Sequence, residues 1–163
     1  MTMDRMRKYK RFTNNTCARV LFVLFVSWIL LIFTASLMPG GASSDQSDTL
    51  VKWLGPLLSR FPSITEPGYF VRKMAHLTEY FVLGALAAAQ RPPLTGARTA
   101  IRAFSGPLTA IIDEHFVQAL LSVDRGPSWS DVGLDLLGYY IGLTIIGGII
   151  YIQSSRKAKS PKS

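Results

Sequence analysis

A single cysteine, Cys17, excludes an internal disulfide. It falls beside the first long apolar run and reads as an inert thiol. Charge is also scarce. Charged residues make up 17% of the 163 positions, against about a quarter in ordinary soluble domains. Acids are the scarcest, with ten Asp and Glu against 18 Lys and Arg. With 48% hydrophobic residues and a mean hydropathy of +0.25, this composition excludes an ordinary soluble domain. One small membrane domain remains, with room for about four spans of roughly 20 residues. No basic surface interleaved with aromatics occurs, so the net charge of +8 does not point to nucleic acid. The cations instead flank the apolar runs, which is a topology signal.

Residues 1–19 are basic and polar, with Asp4 the only acid. Residues 20–37 form an apolar run containing Trp28 and no charge. A basic start followed by an apolar run also describes a signal peptide, but this run is long for one and further spans follow. It reads as an uncleaved first transmembrane helix. Residues 39–66 form a polar loop rich in Gly, Ser, Asp and Pro. Within it, residues 49–61 place Leu50, Trp53, Leu54, Leu57, Leu58 and Phe61 at helical spacing, with Pro56 breaking the middle. That is the pattern of a short helix in the membrane interface, or of an apolar lid on the helix ends. A second span covers residues 69–89 and is ended by Arg91-Pro92-Pro93. Arg98 and Arg102 then fall in a loop. A third span covers residues 103–123, with Pro107 near its start. Residues 124–129 are a turn. Ser130 or Asp131 can cap a fourth span that continues to residue 152. Residues 153–163 form a basic tail, disordered from Ser154.

The expected architecture is thus an all-α membrane protein of four transmembrane helices, comprising residues 20–152, with an interfacial helix between the first two spans. The N-terminus, the loop at 90–102 and the tail then share one side. That side holds thirteen of the 18 cations and only Asp4 among the acids. By the positive-inside rule both termini are cytoplasmic.

The second span is unusual. Its first half reads Arg72-Lys73-Met74-Ala75-His76-Leu77-Thr78-Glu79-Tyr80. An ionisable group at the centre of an inserting helix costs about 2.5–3.5 kcal/mol, so such groups mark a bundle interior or a wet cavity. The alternative is a span that starts later, near Leu77, with the charges among the headgroups. Depth argues against it. At about 1.5 Å per residue, His76 lies roughly 10 Å below the outer surface, Gln118 and Asp135 roughly 8 Å, and Asp113 and Glu114 roughly 15 Å. Asp113 and Glu114 are not helix-end residues. Three segments therefore place polar groups in one outer layer, which points to one pocket open to the outside.

Helical faces narrow this further. His76 is common to the stripe Arg72, His76, Glu79 and to the stripe Lys73, His76, Tyr80, Gly84. Glu114 and Gln118 share a face of the third span, with Asp113 about 100° away. Asp131, Asp135, Gly138 and Gly142 form one stripe of the fourth. Its Gly138-x-x-x-Gly142 pair permits close helix approach, with the aspartates above the glycines. His115 points away from Asp113 and suits a helix contact. His76, Glu79, Asp113 and Glu114 are candidate ligands for a hard metal, but a histidine and a glutamate three apart do not define a site. No metal site is assigned, and no cofactor is named.

These residues resemble the VanZ-like membrane proteins. Lys73-x-x-His76-x-x-x-Tyr80-x-x-Leu83 is similar to the family's first signature, and Asp113-Glu114-x-x-x-Gln118 to its second. Arg125 followed by Asp131-Val132-x-x-Asp135-x-x-Gly138-x-x-x-Gly142 is similar to the third. Ser36-x-x-Pro39 resembles a weaker early motif. The resemblance covers residues 20–150. The stretch between Gln118 and Arg125 lacks the proline-glycine that often precedes the family's arginine. The resemblance implies a multi-pass protein of the bacterial plasma membrane and a link to resistance against the glycopeptide teicoplanin, which acts on lipid-linked cell-wall precursors.

Three functions compete. In the first, the protein binds or acts on a membrane lipid or lipid-linked cell-wall precursor, and whether it is an enzyme stays open. His76 then serves as general acid or base, and Asp113 or Glu114 orients it. Arg72, Lys73 and Arg125 hold phosphate, while Tyr80, Gln118, Asp131 and Asp135 complete the substrate contacts. In the second, the charges are intrabundle ion pairs of a non-catalytic protein. In the third, the carboxylates relay protons in a small carrier, which fits poorly because the polar groups stop at mid-membrane.

Overall fold

The computed structural model describes residues 3–37, 40–61, 64–90, 96–121 and 128–159. These residues are helical and contain no strand. The helices are α1 (Met3–Ser36), α2 (Gly40–Leu58), α3 (Pro67–Ala89), α4 (Gly96–Ile112) and α5 (Trp129–Lys159). A π-helical segment, Asp113–Leu121, continues α4 without a break.

Among the described residues, two helices are long and apolar enough to cross a membrane. They are α1 over Thr16–Ser36, with a mean hydropathy of 2.4, and α5 over Trp129–Arg156, at 1.6. Only 11% and 22% of their most apolar stretches are buried, so the rest of the chain does not wrap them as it wraps a soluble core helix. α3 is apolar after Tyr80, but its first half carries Arg72, Lys73 and Glu79. α4 alone is 17 residues and gains its length from the π-helical segment.

The helix boundaries depart from the sequence expectation in several places, each with a local cause. α1 begins at Met3, so the basic N-terminal residues extend the apolar helix instead of preceding it. α5 runs through Lys159, so the tail expected to be disordered from Ser154 is helical that far. α2 is longer than residues 49–61, and Pro56 lies in its last turn without ending it. Leu50, Trp53, Leu54, Leu57 and Phe61 are all exposed, Trp53 to 82%, so this apolar row is not a lid packed on the bundle. α3 starts at Pro67, in the first turn, where proline's fixed φ suits a helix and its missing N–H has no partner to lose. Arg102 lies inside α4 and not in a loop. Its guanidinium donates to the carbonyls of Ala87 and Ala88, each at 3.1 Å, and to that of Gln90. It thereby adds a charged donor to carbonyls at the end of α3, where helical N–H partners run out; the Ala87 carbonyl also accepts from the Gln90 N–H at 3.3 Å. The cap of α5 is Ser128 rather than Ser130 or Asp131. Ser128 Oγ accepts from the Asp131 N–H at 3.3 Å.

The central pair is α3 against α5. The reason is the small residues on both. A Cβ on Gly138 would fall on the carbonyl of Leu77, and one on Gly142 on the carbonyl of Phe81. From the other side, a Cβ on Gly84 would meet the carbonyl of Tyr139. The two backbones therefore touch, as the glycine spacing predicts. Around this seam lies the core of Phe25, Ile32, Tyr80, Leu83, Ala87, Ala110, Val132 and Tyr139. Polar ties fix the outer helices to it. Trp28 Nε1 on α1 donates to the Glu79 carbonyl at 2.8 Å. Tyr139 on α5 covers Gly106 with its ring and donates its hydroxyl to the Arg102 carbonyl at 2.6 Å.

Candidate functional site

Asp135 sits one turn before Gly138 on α5, and His76 precedes Leu77, the residue whose carbonyl Gly138 touches. Backbone contact at the glycine therefore brings the two side chains together. His76 Nδ1 lies 3.3 Å from Asp135 Oδ1 and 3.9 Å from Glu114 Oε1. An ionised carboxylate only accepts, so a hydrogen bond between His76 and Asp135 puts the proton on Nδ1. Asp113, Glu114 and Asp135 are fully buried, while the His76 side chain keeps 13% exposure.

The π-helical segment decides the third wall. An α-helix would turn Asp113 about 100° from Glu114 and about 140° from Gln118. A π-helix, whose hydrogen bonds run i→i+5, brings residues i and i+5 nearer to one face. Gln118 Nε2 accordingly donates to Glu114 Oε1 at 2.6 Å and reaches Asp113 Oδ2 at 3.3 Å. Both carboxylates thus face the site. His76, Asp113, Glu114 and Asp135 each offer a donor atom, and these four atoms lie within 4.8 Å of one another. A divalent cation is the kind of ligand such a set can hold. Glu79, weighed as a ligand in the sequence, is not in this set; Asp135 completes it.

The other residues singled out in the sequence fall into place around this centre. Tyr80 is fully buried on α3, within electrostatic range of Asp135, Asp113 and Glu114, and its hydroxyl has no hydrogen-bond partner. Lys73 pairs with Asp131, one turn above Asp135, and lies 5.0 Å from the ring of Tyr69. The Arg72 guanidinium lies 5.9 Å from the same ring. Lys73 and Asp131 retain 18% and 20% side-chain exposure, so they form the wetter edge of the constellation. His115 stacks on Trp129 at the start of α5, with ring centroids 4.2 Å apart, and takes no part in the cluster. Arg125 lies outside the described residues.

One feature differs from the pocket expected to open outward. The three carboxylates are sealed, while His76 and the Lys73–Asp131 pair reach the surface. Sequence reasoning also missed the Trp28 tie, the Arg102 cap and the role of Trp129. For Arg102 a signal existed, since a cation shortly after a helix end is suited to that helix's last carbonyls.

Among the described residues, the fold and the site together define a helical protein without strands, with two helices long and apolar enough to cross a membrane and a buried histidine–carboxylate cluster. No family model, curated protein or solved structure matches it.

Proposed function

We propose that the chain is a VanZ-like, multi-pass protein of the bacterial plasma membrane with four spans and both termini cytoplasmic. In this arrangement α1, α3, α4 with its π-helical continuation, and α5 cross the bilayer. α2 lies in the outer interface with Leu50, Trp53, Leu54 and Leu57 toward lipid. The protein binds or acts on a phosphorylated, lipid-linked component of the cell envelope and so affects the response to teicoplanin.

The observation that carries this reading is the meeting of His76, Asp113, Glu114 and Asp135 from three elements at one buried point. Ionisable groups are costly in a bilayer and are kept there mainly where they serve a ligand or ion path. The large apolar side chains left exposed on α1 and α5, such as Val23, Leu30, Ile145 and Ile149, support lipid contact. Substrate phosphate meets the wetter edge, where Lys73 exchanges Asp131 for it beside Arg72. His76, its ring held at the Nδ1 side by Asp135 and Glu114, then moves a proton at Nε2.

A second reading has one observation in its favour. The Lys73–Asp131 pair is already satisfied within the bundle, as in a scaffold whose charges only hold helices together. Removing one partner of a buried pair costs about 3–5 kcal/mol, so a scaffold fails by misfolding. His76→Ala and Glu114→Gln separate the two. For a functional site, both variants accumulate in the membrane and, in chelator, unfold near the temperature of the wild type in chelator, yet lose the teicoplanin phenotype in a sensitive host. Failure of both to accumulate establishes the scaffold.

A further inference from the structure

We propose that His76, Asp113, Glu114 and Asp135 bind one divalent first-row metal ion. This goes beyond the lipid reading and does not depend on it, because ion binding is measured without any lipid-linked ligand.

Four observations converge. The donor atoms of the four side chains lie within 4.8 Å of one another. Ligands about 2.0–2.4 Å from a shared ion span up to about twice that distance, so only a small contraction separates this arrangement from a coordination sphere. The second is charge. Among the described residues, Glu114 and Asp135 face one imidazole, and the nearby ammonium of Lys73 contacts Asp131 instead. Buried charges are paired or bind metal. A dication supplies positive charge at this point, and His76 then acts as a neutral ligand, the ion taking the place of the Nδ1 proton.

The third observation concerns orphaned atoms. Glu114 Oε2 and Asp135 Oδ2 are buried without a hydrogen-bond partner, although the other oxygen of each carboxylate faces Gln118 or His76. A buried acceptor normally finds a donor, and its absence costs about 1–3 kcal/mol or more for a charged group. Metal coordination uses those lone pairs. The fourth is the enclosure of the site. The carboxylates are closed off from solvent, which excludes a headgroup from direct contact with them.

The donor set narrows the ion. Three carboxylates and one imidazole, with no thiolate, suit Mn(II) or Zn(II) better than copper. The imidazole disfavours magnesium and calcium, which take oxygen ligands. The wide spacing of the donors fits a six-coordinate ion, and Mn(II) best. Gln118 then serves as an orienting residue, holding Glu114 through its amide; loss of such a partner typically weakens metal binding 10–100-fold.

The test uses the full chain in lipid nanodiscs, stripped with chelator and then equilibrated with Mn(II) alone or Zn(II) alone. Elemental analysis is expected to find about one equivalent of Mn(II) or Zn(II) per chain, and metal addition is expected to raise the unfolding temperature. Asp135→Asn and Glu114→Gln are expected to weaken binding at least 100-fold, and Gln118→Ala 10–100-fold. His76→Asp keeps an oxygen ligand. It should therefore still bind Mn(II) while losing the imidazole nitrogen coupling seen by pulsed electron paramagnetic resonance in the wild type. If neither ion binds the folded wild-type protein, or if binding persists unchanged in both carboxylate variants, the proposal is overturned. The wild-type stoichiometry decides even if a variant does not fold.

Discussion

Replacing Gly138 by alanine tests how the α3–α5 seam builds the site. The added Cβ would fall on the Leu77 carbonyl, with the Leu77 carbonyl carbon 3.2 Å and its Cα 3.3 Å away. These are backbone atoms, which cannot swing aside as a side-chain end can. The helices must separate by roughly 1 Å, and overpacking of this kind typically costs about 1–3 kcal/mol. Against this, alanine in place of glycine inside a helix gains about 0.5–1 kcal/mol. A net loss of about 0–2.5 kcal/mol, centred a little above 1, follows from these ranges. Gly148 is the control, because nothing lies within 4 Å of its added Cβ and only the gain applies. The two alanine variants should therefore shift stability in opposite directions. The site should respond as well. The His76–Asp135 approach is 3.3 Å, so a separation of about 1 Å takes it past hydrogen-bond range. Thermal unfolding in nanodiscs reads the first effect, and the His76 imidazole nitrogen shift reads the second. A Gly138→Ala protein as stable as Gly148→Ala, with an unchanged His76 signal, refutes the seam as the device that positions the cluster.

Three further predictions concern single contacts. Lys73→Met and Asp131→Asn, combined in a double-mutant cycle, should show a coupling of about 0.5–1.5 kcal/mol, since the pair is partly solvated; a coupling of zero removes it as a structural element. Arg102→Met should lose about 2–3 kcal/mol in unfolding measurements, because three carbonyls at the end of α3 lose a charged donor. Trp28→Phe keeps the ring but leaves the Glu79 carbonyl without its 2.8 Å donor. It should lose about 1 kcal/mol, and faster hydrogen exchange in α3 is the accompanying signature.

Much of the helical architecture is legible in the sequence because charge and proline punctuate it. Pro67 opens α3, and Arg91-Pro92-Pro93 follows its end. The Gly138–Gly142 stripe carries its own packing rule, and the structure sets it on a helix backbone as the spacing implies. The ends of α1 and α5 are less legible. Basic residues have good helix propensity, so a charged flank can continue an apolar helix as readily as leave it. The π-helical segment is the main illegible feature. No residue type announces a wider turn, so the expected 100° periodicity separates Asp113 from Glu114 where the structure joins them. Glu79, and not Asp135, stands among the sequence's candidate ligands for a separate reason. Ligand choice depends on helix rotation and contact distance, which spacing along one helix cannot give. The Ser128 cap was hidden for a simpler reason, since Ser128, Ser130 and Asp131 are all good capping residues.

The convergence of His76 with Asp135 and Glu114 is the central claim, and solid-state NMR measures it directly. The chain has two histidines, so His115→Gln leaves His76 as the sole imidazole label in protein carrying carbon-13 aspartate and glutamate. A carboxylate carbon lies about 1.2 Å from its oxygen. Nitrogen–carbon recoupling in lipid should therefore find the Asp135 carboxylate carbon within about 4.5 Å of Nδ1, and that of Glu114 within about 5 Å. Finding neither carboxylate carbon within about 6 Å of the ring would contradict the account.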